Sequence, residues 1–458
     1  MKIMGRSDVK RHYQSVIERI ADKGISMPDC PWECPAENRE DRIRGLVRGK
    51  VKYAILSHRW LDEGEPTFQE MSRGELGKGP GYEKLGAFCE KARAFGCDFV
   101  WSDTCCINKT SSAELDEAIR AMFRWYRNAH VCIAYLSDSS TIADFKNEVW
   151  FRRGWTLQEL LAPRRMKFFG KGWIPLSPEC DDKNPKKTLQ QTLFGIGVEN
   201  PILNAISRLT KIPLNDLTDF TPGPNRVREK MSWASNRRTT RIEDIAYSLV
   251  GMFDVSLMVA YGEGNMAFYR LLEAIIQRSN GSDVFYWEGT PSPYNVALPG
   301  SPASYPSHTF MEDHASPIAV TASKHDKTYP VGDQSFAFTN RGLRLDVLLV
   351  QVKYVRQDPL ENGRVKLTVK HRGFGDISVV VIPRNFAELA NLMNQSYAVG
   401  IIDYWNKGQK GFIDKCRIHT AFLLCRHGQS SWTKVRTERV FQVRPLKVWR
   451  DRPTTLYL

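Results

Sequence analysis

The chain has 458 residues, 42% hydrophobic and 25% charged, which exceeds the length one hydrophobic core supports and predicts two or three domains of ordinary soluble composition. A charged start at residues 1–13, and the break that Asp254 makes in the most apolar stretch, 245–260, argue against a signal peptide and a membrane span. The net charge of +14 is uneven: residues 331–458 hold 21 Lys+Arg against 10 Asp+Glu and the remainder 44 against 41, so a whole-chain nucleic-acid reading loses weight, with no finger or RNA-binding signature to support it.

Residues 7–21 place Val9, Tyr13, Val16, Ile17 and Ile20 at helical spacing, with Gly24 as the stop. With the polar loop that follows, they form an N-terminal segment, 1–50. Four strand-like runs come next, at 51–57, 98–102, 131–136 and 166–169. Helices are expected between them at 82–95, 111–129 and 145–161; Ser111 and Glu114 have the spacing of a capping box. Strands alternating with helices predict an α/β fold, a doubly wound parallel sheet covered on both faces. Ligands of such sheets bind at the carboxyl ends of the strands, which directs attention to 57–60, 103–107 and 137–138.

Residues 200–280 read as a helical extension that completes the first domain, 51–287, with Thr240 and Glu243 as a second capping box and Phe268, Leu271, Leu272, Ile275 and Ile276 as an apolar stripe. Five prolines between Pro291 and Pro306 mark 288–330 as a linker or an extended surface segment. Alternating runs at 343–350, 365–369, 377–381 and 440–443, with Asn362-Gly363 as a hairpin signal, predict a basic, antiparallel β module over 331–458. Its charge suits an acidic partner or anionic surface, or serves solubility alone.

Three segments stand out: Ser57-His58-Arg59-Trp60 after the first strand, Trp101-Ser102-Asp103-Thr104-Cys105-Cys106-Ile107, and Arg153-Gly154-Trp155-Thr156-Leu157-Gln158-Glu159-Leu160. Together they resemble the fungal heterokaryon-incompatibility (HET) domain, marked by LSxxW, W-x-D-x-x-C-I and R-x-W-T-L-Q-E segments in this order. Ser102 and Asn108 stand where that pattern has Ile and an acidic residue. The HET domain in turn resembles Toll/interleukin-1 receptor (TIR) domains, flavodoxin-like sheets of which some cleave NAD. Trp155-x-x-x-Glu159-Leu160 is similar to the TIR W-C-x-x-E-L segment, whose Glu is catalytic in the enzymatic members. The resemblance therefore implies a TIR/flavodoxin-like sheet and a cytoplasmic NAD hydrolase that triggers cell death in self/non-self recognition. It implies Glu159 as the catalytic carboxylate, NAD as substrate with no further cofactor or metal, and a homo-oligomer. The alternative it leaves open is a non-catalytic signalling module acting by self-association.

Splitting nicotinamide from ribose leaves an oxocarbenium-like sugar, which a positioned carboxylate stabilises. Ser57, His58, Arg59, Trp60, Asp103, Cys106 and Trp155 are the candidate substrate contacts, Trp155 sharing a helix face with Glu159. Each has a plainer reading: Trp60, Trp101 and Trp155 as core, Asp103 as a turn residue, Arg59 as an ion-pair partner, and Glu159 as a solvated helix residue beside Arg152 or Arg164. Glu159 is expected to be partly exposed and nearly neutral to folding, and Glu148→Gln, outside the motif, to retain most activity. Ten cysteines over this length do not make a secreted disulfide framework and predict a reducing compartment. Cys105 and Cys106 with His58 or His130 also permit a cysteine-hydrolase reading, and Cys30 and Cys34 a structural zinc completed by distant ligands.

Overall fold

The computed structural model describes residues 51–75, 77–184, 200–279, 281–305, 336–352, 354–383, 396–407, 410–413, 418–427 and 431–458, with Met4, Asp8, Arg11–Gln14 and Glu18 of the N-terminal segment. Most of the expected leading helix, and Cys30 and Cys34, lie outside these residues. Two compact units are present: the first spans 1–222 with 237–239, the second 223–236 with 240–458.

In the first unit, β1 (Tyr53–His58), β2 (Phe99–Trp101), β3 (Val131–Tyr135) and β4 (Met166–Phe169) form a parallel sheet in the order β2-β1-β3-β4. This is the start of the flavodoxin-type order, whose switch point lies between β1 and β3. Each strand falls where its apolar run predicts.

Helix α1 (Phe68–Ser72) precedes α2 (Pro80–Ala94), which buries Leu85, Phe88 and Ala92 against Ala54, Leu56, Val131 and Ile133. Helix α3 (Ser112–Asn128) starts where Ser111 accepts from the Glu114 amide at 3.3 Å. The Glu114 carboxylate accepts from the Asn108 amide at 3.4 Å, so only half of the expected capping box is made. Edge strand β4 is covered by the chain that follows: the Asp182 side chain accepts from the Phe168 amide at 2.8 Å, and Lys167 donates to the Ser177 and Glu179 carbonyls at 2.7 Å. Covering the edge this way satisfies its open backbone groups and a buried ammonium together.

The single helix expected over 145–161 is three pieces. Two 3-10 turns, Ile142–Lys146 and Val149–Arg152, precede α4 (Thr156–Leu161). The break follows from a competing backbone pairing, in which Arg152 O accepts from the Arg238 amide at 2.7 Å and the Gly154 amide donates to Arg238 O at 2.8 Å.

The second unit combines helices within 227–276 with antiparallel sheets, the largest running Ser431–Lys434, His419–His427, Tyr397–Ile401, Gly342–Gln351, Thr454–Tyr457. Asn362 and Gly363, at φ 61° and 69°, turn the chain between strands Tyr354–Pro359 and Val365–His371, as their pairing in sequence predicts. The apolar stripe of 266–276 is buried within this unit. Proline-rich residues 291–305 pack inward, with Leu298 and Tyr305 fully buried and Trp287 Nε1 donating to Ala297 O at 3.0 Å. Glu243 forms no box with Thr240; its carboxylate accepts from the Gly262 and Gly264 amides at 2.8 and 3.1 Å. No helix among the described residues is long and apolar enough to cross a membrane.

Helix α2 offers an internal comparison. A Cβ on Gly81 would lie 2.1 Å from the Gly64 carbonyl oxygen, whereas one on Gly86 meets nothing within 4 Å. Chemical denaturation is expected to show Gly81→Ala losing about 1–3 kcal/mol by overpacking. In the same assay Gly86→Ala gains about 0.5–1 kcal/mol from helix propensity.

Candidate functional site

The candidate residues gather at the carboxyl edge of the sheet, and strand alternation sorts them into two groups. Ala54 and Leu56 face α2, so Ser57 points the opposite way and His58 returns to the α2 side.

On the Ser57 side lies Glu159, in the first turn of α4. It is 5% exposed, which corrects the expectation of a partly exposed residue. Ser57 Oγ donates to Glu159 Oε2 at 2.5 Å and accepts from Trp150 Nε1 at 2.9 Å. Tyr126 of α3 donates to the Leu56 carbonyl at 2.8 Å, and its hydroxyl faces the same carboxyl. Burial first, then the negative charge of Asp103, pushes Glu159 up to about 8; the Ser57 hydrogen bond, the charge of Arg153 and the Tyr126 hydroxyl oppose the rise. The reason is dielectric: a carboxylate loses its hydration in this site and recovers only part of it from fixed donors. Neither Arg152 nor Arg164 is the partner.

On the α2 side, His58 Nε2 lies 3.3 Å from Asp103 Oδ1 and Nδ1 lies 3.9 Å from Glu65 Oε1. Lys84 of α2 pairs with Glu65, and its Nζ also donates to Arg59 O at 3.3 Å. Trp60 is 38% exposed, with Nε1 donating to Asp103 Oδ2 at 2.9 Å and the Lys109 ammonium 3.9 Å from its ring centroid. Trp60 is therefore a surface ring held by a carboxylate. Burial alone would raise the Asp103 pKa, but the hydrogen bond and charge of His58, with Lys109 and Trp60, hold it below the usual carboxylate value.

The other candidates sit apart from these contacts. Arg59 pairs with Asp138 at 3.6 Å in an exposed ion pair. Trp155 is half-buried at the start of α4. Cys106 packs against the α2-side core; its sulfur accepts from the Ser102 amide at 3.4 Å. The hydrogen bond of the Cys105 thiol lowers the Cys106 pKa and raises its own. His58 and His130 are engaged elsewhere, with Asp103 and with Arg165 at 3.1 Å, so the geometry gives the cysteine-hydrolase reading no support.

Sequence reasoning missed Trp150 and Glu148. Trp150 is fully buried and supplies the donor behind Ser57. Glu148 is 1% exposed and accepts from Ser139 Oγ at 2.9 Å and from the Asp138 and Trp150 amides at 3.2 and 3.3 Å, so it ties the turn before Trp150 to the loop after β3. Its only sequence signal is its place two residues before Trp150, where a carboxylate can cap a turn.

Residues 53–145 match the family model described as Heterokaryon incompatibility protein (HET). The chain is 40% identical over 246 residues to Vegetative incompatibility protein HET-E-1 of Podospora anserina, a match covering 51% of this chain and 17% of that protein. No solved structure matches.

The buried carboxyl makes stability depend on pH in a predictable direction. The unfolded chain releases the Glu159 proton from about pH 4.5, while the native state holds it to about 8. The native state thus loses relative stability as pH rises between those values. Glu159→Gln has no such proton, so urea unfolding is expected to show it gaining on the parent by about 2 kcal/mol between pH 5.5 and 7.5. A difference independent of pH would show that Glu159 ionises freely.

Proposed function

Taking as premise that the chain carries a heterokaryon-incompatibility (HET) domain, we propose that it is an NAD glycohydrolase of fungal incompatibility, with Glu159 as the catalytic carboxylate. The observation that carries this reading is the Ser57–Glu159 hydrogen bond, which joins two motif segments 102 residues apart at the carboxyl edge of β1. The similarity of the Trp155 to Leu160 segment to the TIR W-C-x-x-E-L segment supports the assignment.

The reaction requires the bond between C1′ and the pyridinium nitrogen to break, its electron pair neutralising the ring. Nicotinamide then leaves uncharged, water adds to C1′ and the added water gives up a proton. Glu159 faces the sugar as positive charge develops there. A cationic nicotinamide riboside beside the carboxyl offsets the cost of burial and favours the ionised form, so substrate and proton compete. Ser57 fixes one carboxyl oxygen. Trp60 offers an exposed aromatic face to a base, and Arg59 reaches a phosphate once its exposed pair with Asp138 opens, which costs little.

Nicotinamide release from NAD by the purified chain tests the assignment. Glu159→Gln is expected to lower turnover several hundredfold, about 3–4 kcal/mol of transition-state stabilisation, while Glu90→Gln on the exposed face of α2 stays near the parent. The parent's kcat/KM is expected to rise with pH and level off above about 8, following ionisation of Glu159. Full activity in folded Glu159→Gln protein would make the carboxyl a structural element and favour the signalling-module reading.

The proposal extends to assembly, since TIR-like enzymes complete their pockets across protomers. Specific activity is expected to rise with protein concentration in step with an oligomer seen by light scattering. Constant specific activity in a protein shown to be monomeric would reject this part.

A further inference from the structure

Residues 237–239 belong to the first unit, although the chain on both sides of them, 223–236 and 240–458, belongs to the second. This three-residue return lies against the segment that leads into α4. Arg238 bridges Arg153 in parallel register through the two backbone hydrogen bonds described above. Arg237 turns its guanidinium inward: Nη1 donates to the Arg153 carbonyl at 2.9 Å and to Thr156 Oγ1 at 3.0 Å. Thr156 Oγ1 passes the contact on, donating to Trp150 O at 2.5 Å. Trp150 is the residue whose indole holds Ser57 against Glu159.

Helix α4 needs such support. It has six residues and no side-chain hydrogen bond at its N-cap, too little to fix its own first turn. Arg237 meets that turn from outside, and it also lies within electrostatic reach of Glu159. The groups that face Glu159 are Asp103 after β2, Ser57 on β1, Tyr126 on α3, Cys132 on β3, Arg153 before α4, and Arg237. Of the charged members, Asp103 opposes ionisation of the carboxyl, and the two arginines favour it.

We propose that Arg237 is a positioning residue for Glu159: it sets the first turn of α4 through Arg153 O and Thr156, and it supplies positive charge toward the carboxyl. The proposal deepens the NAD-hydrolase reading and rests on Glu159 as its functional group, so its test observes Glu159 directly. Full-length protein labelled at the glutamate 13Cδ is titrated by NMR; the resonance missing from Glu159→Gln identifies the residue. Arg237→Gln keeps a donor and removes the charge, Arg237→Met removes both, and Arg237→Lys keeps the charge.

The expected result is a rise in the Glu159 titration midpoint by about one pH unit in the Gln and Met variants, with Lys near the parent. At subsaturating NAD near pH 7, kcat/KM falls about tenfold in Gln and Met through a raised KM, with kcat little changed, and recovers at higher pH. A purely structural arginine would lower stability without moving the midpoint. An unchanged midpoint in the folded neutral variants overturns the proposal whatever their activity. Loss of folding in both neutral variants, with Lys folded, assigns Arg237 to the fold alone and also overturns it. A shifted midpoint in a protein that does not cleave NAD leaves Arg237 as the residue that positions Glu159 and removes the reaction assigned to that carboxyl.

Discussion

One carboxyl group with almost no access to water organises the carboxyl edge of the parallel sheet. A buried acid must either keep its proton or be surrounded by donors, and Glu159 is arranged between those limits. Ser57 donates to it, Trp150 donates to Ser57, and Tyr126 and two arginines stand near, while Asp103 opposes them. The large buried side chains around it follow from that demand: Trp150 is placed to give its indole N–H to a hydroxyl, and Tyr126 ties the neighbouring backbone carbonyl. A carboxyl pushed up to about 8 keeps its proton over most of the neutral range, as burial demands, and shifts of this kind occur at functional sites as well as in structural networks.

The two faces of the sheet carry different chemistry because a strand alternates. Ser57 and His58 are neighbours in the chain, yet one serves the Glu159 group and the other joins Asp103, Glu65 and Lys84 on the α2 side. The carboxyl edge thus carries a buried carboxyl on one side and an exposed indole with an ammonium over its ring on the other. The two groups are coupled through charge, since Asp103, held by His58 and Trp60, opposes ionisation of Glu159.

Much of the first unit was legible in the sequence because its strands are short apolar runs separated by helix-length connections, and each run became a parallel strand. The placing of Ser57, His58 and Asp103 at one edge followed from the rule for strand ends, whereas Glu159 was singled out by the resemblance of its motif. What escaped was set by contacts distant in sequence. The expected helix over 145–161 has the right apolar pattern, but Arg238 takes the backbone groups of Arg152 and Gly154, so three short pieces form instead. Glu243 has capping-box spacing to Thr240, yet the amides of Gly262 and Gly264 claim its carboxylate. Exposure of Glu159 was misjudged because α4 is too short to present a solvent face, and none of its six residues reaches the surface.

The three-residue return at 237–239 also bears on how such proteins are built and exchanged. A length of gene ending near residue 222 would encode the sheet and Glu159 but leave the segment before α4 without its backbone bridge to Arg238 and without Arg237. To move this unit intact, recombination must carry the coding sequence through residue 239, and with it helix Val227–Ala234 of the second unit. The two compact bodies are therefore not interchangeable cassettes joined by a single seam. Moving the first unit of this chain intact therefore moves part of the second with it.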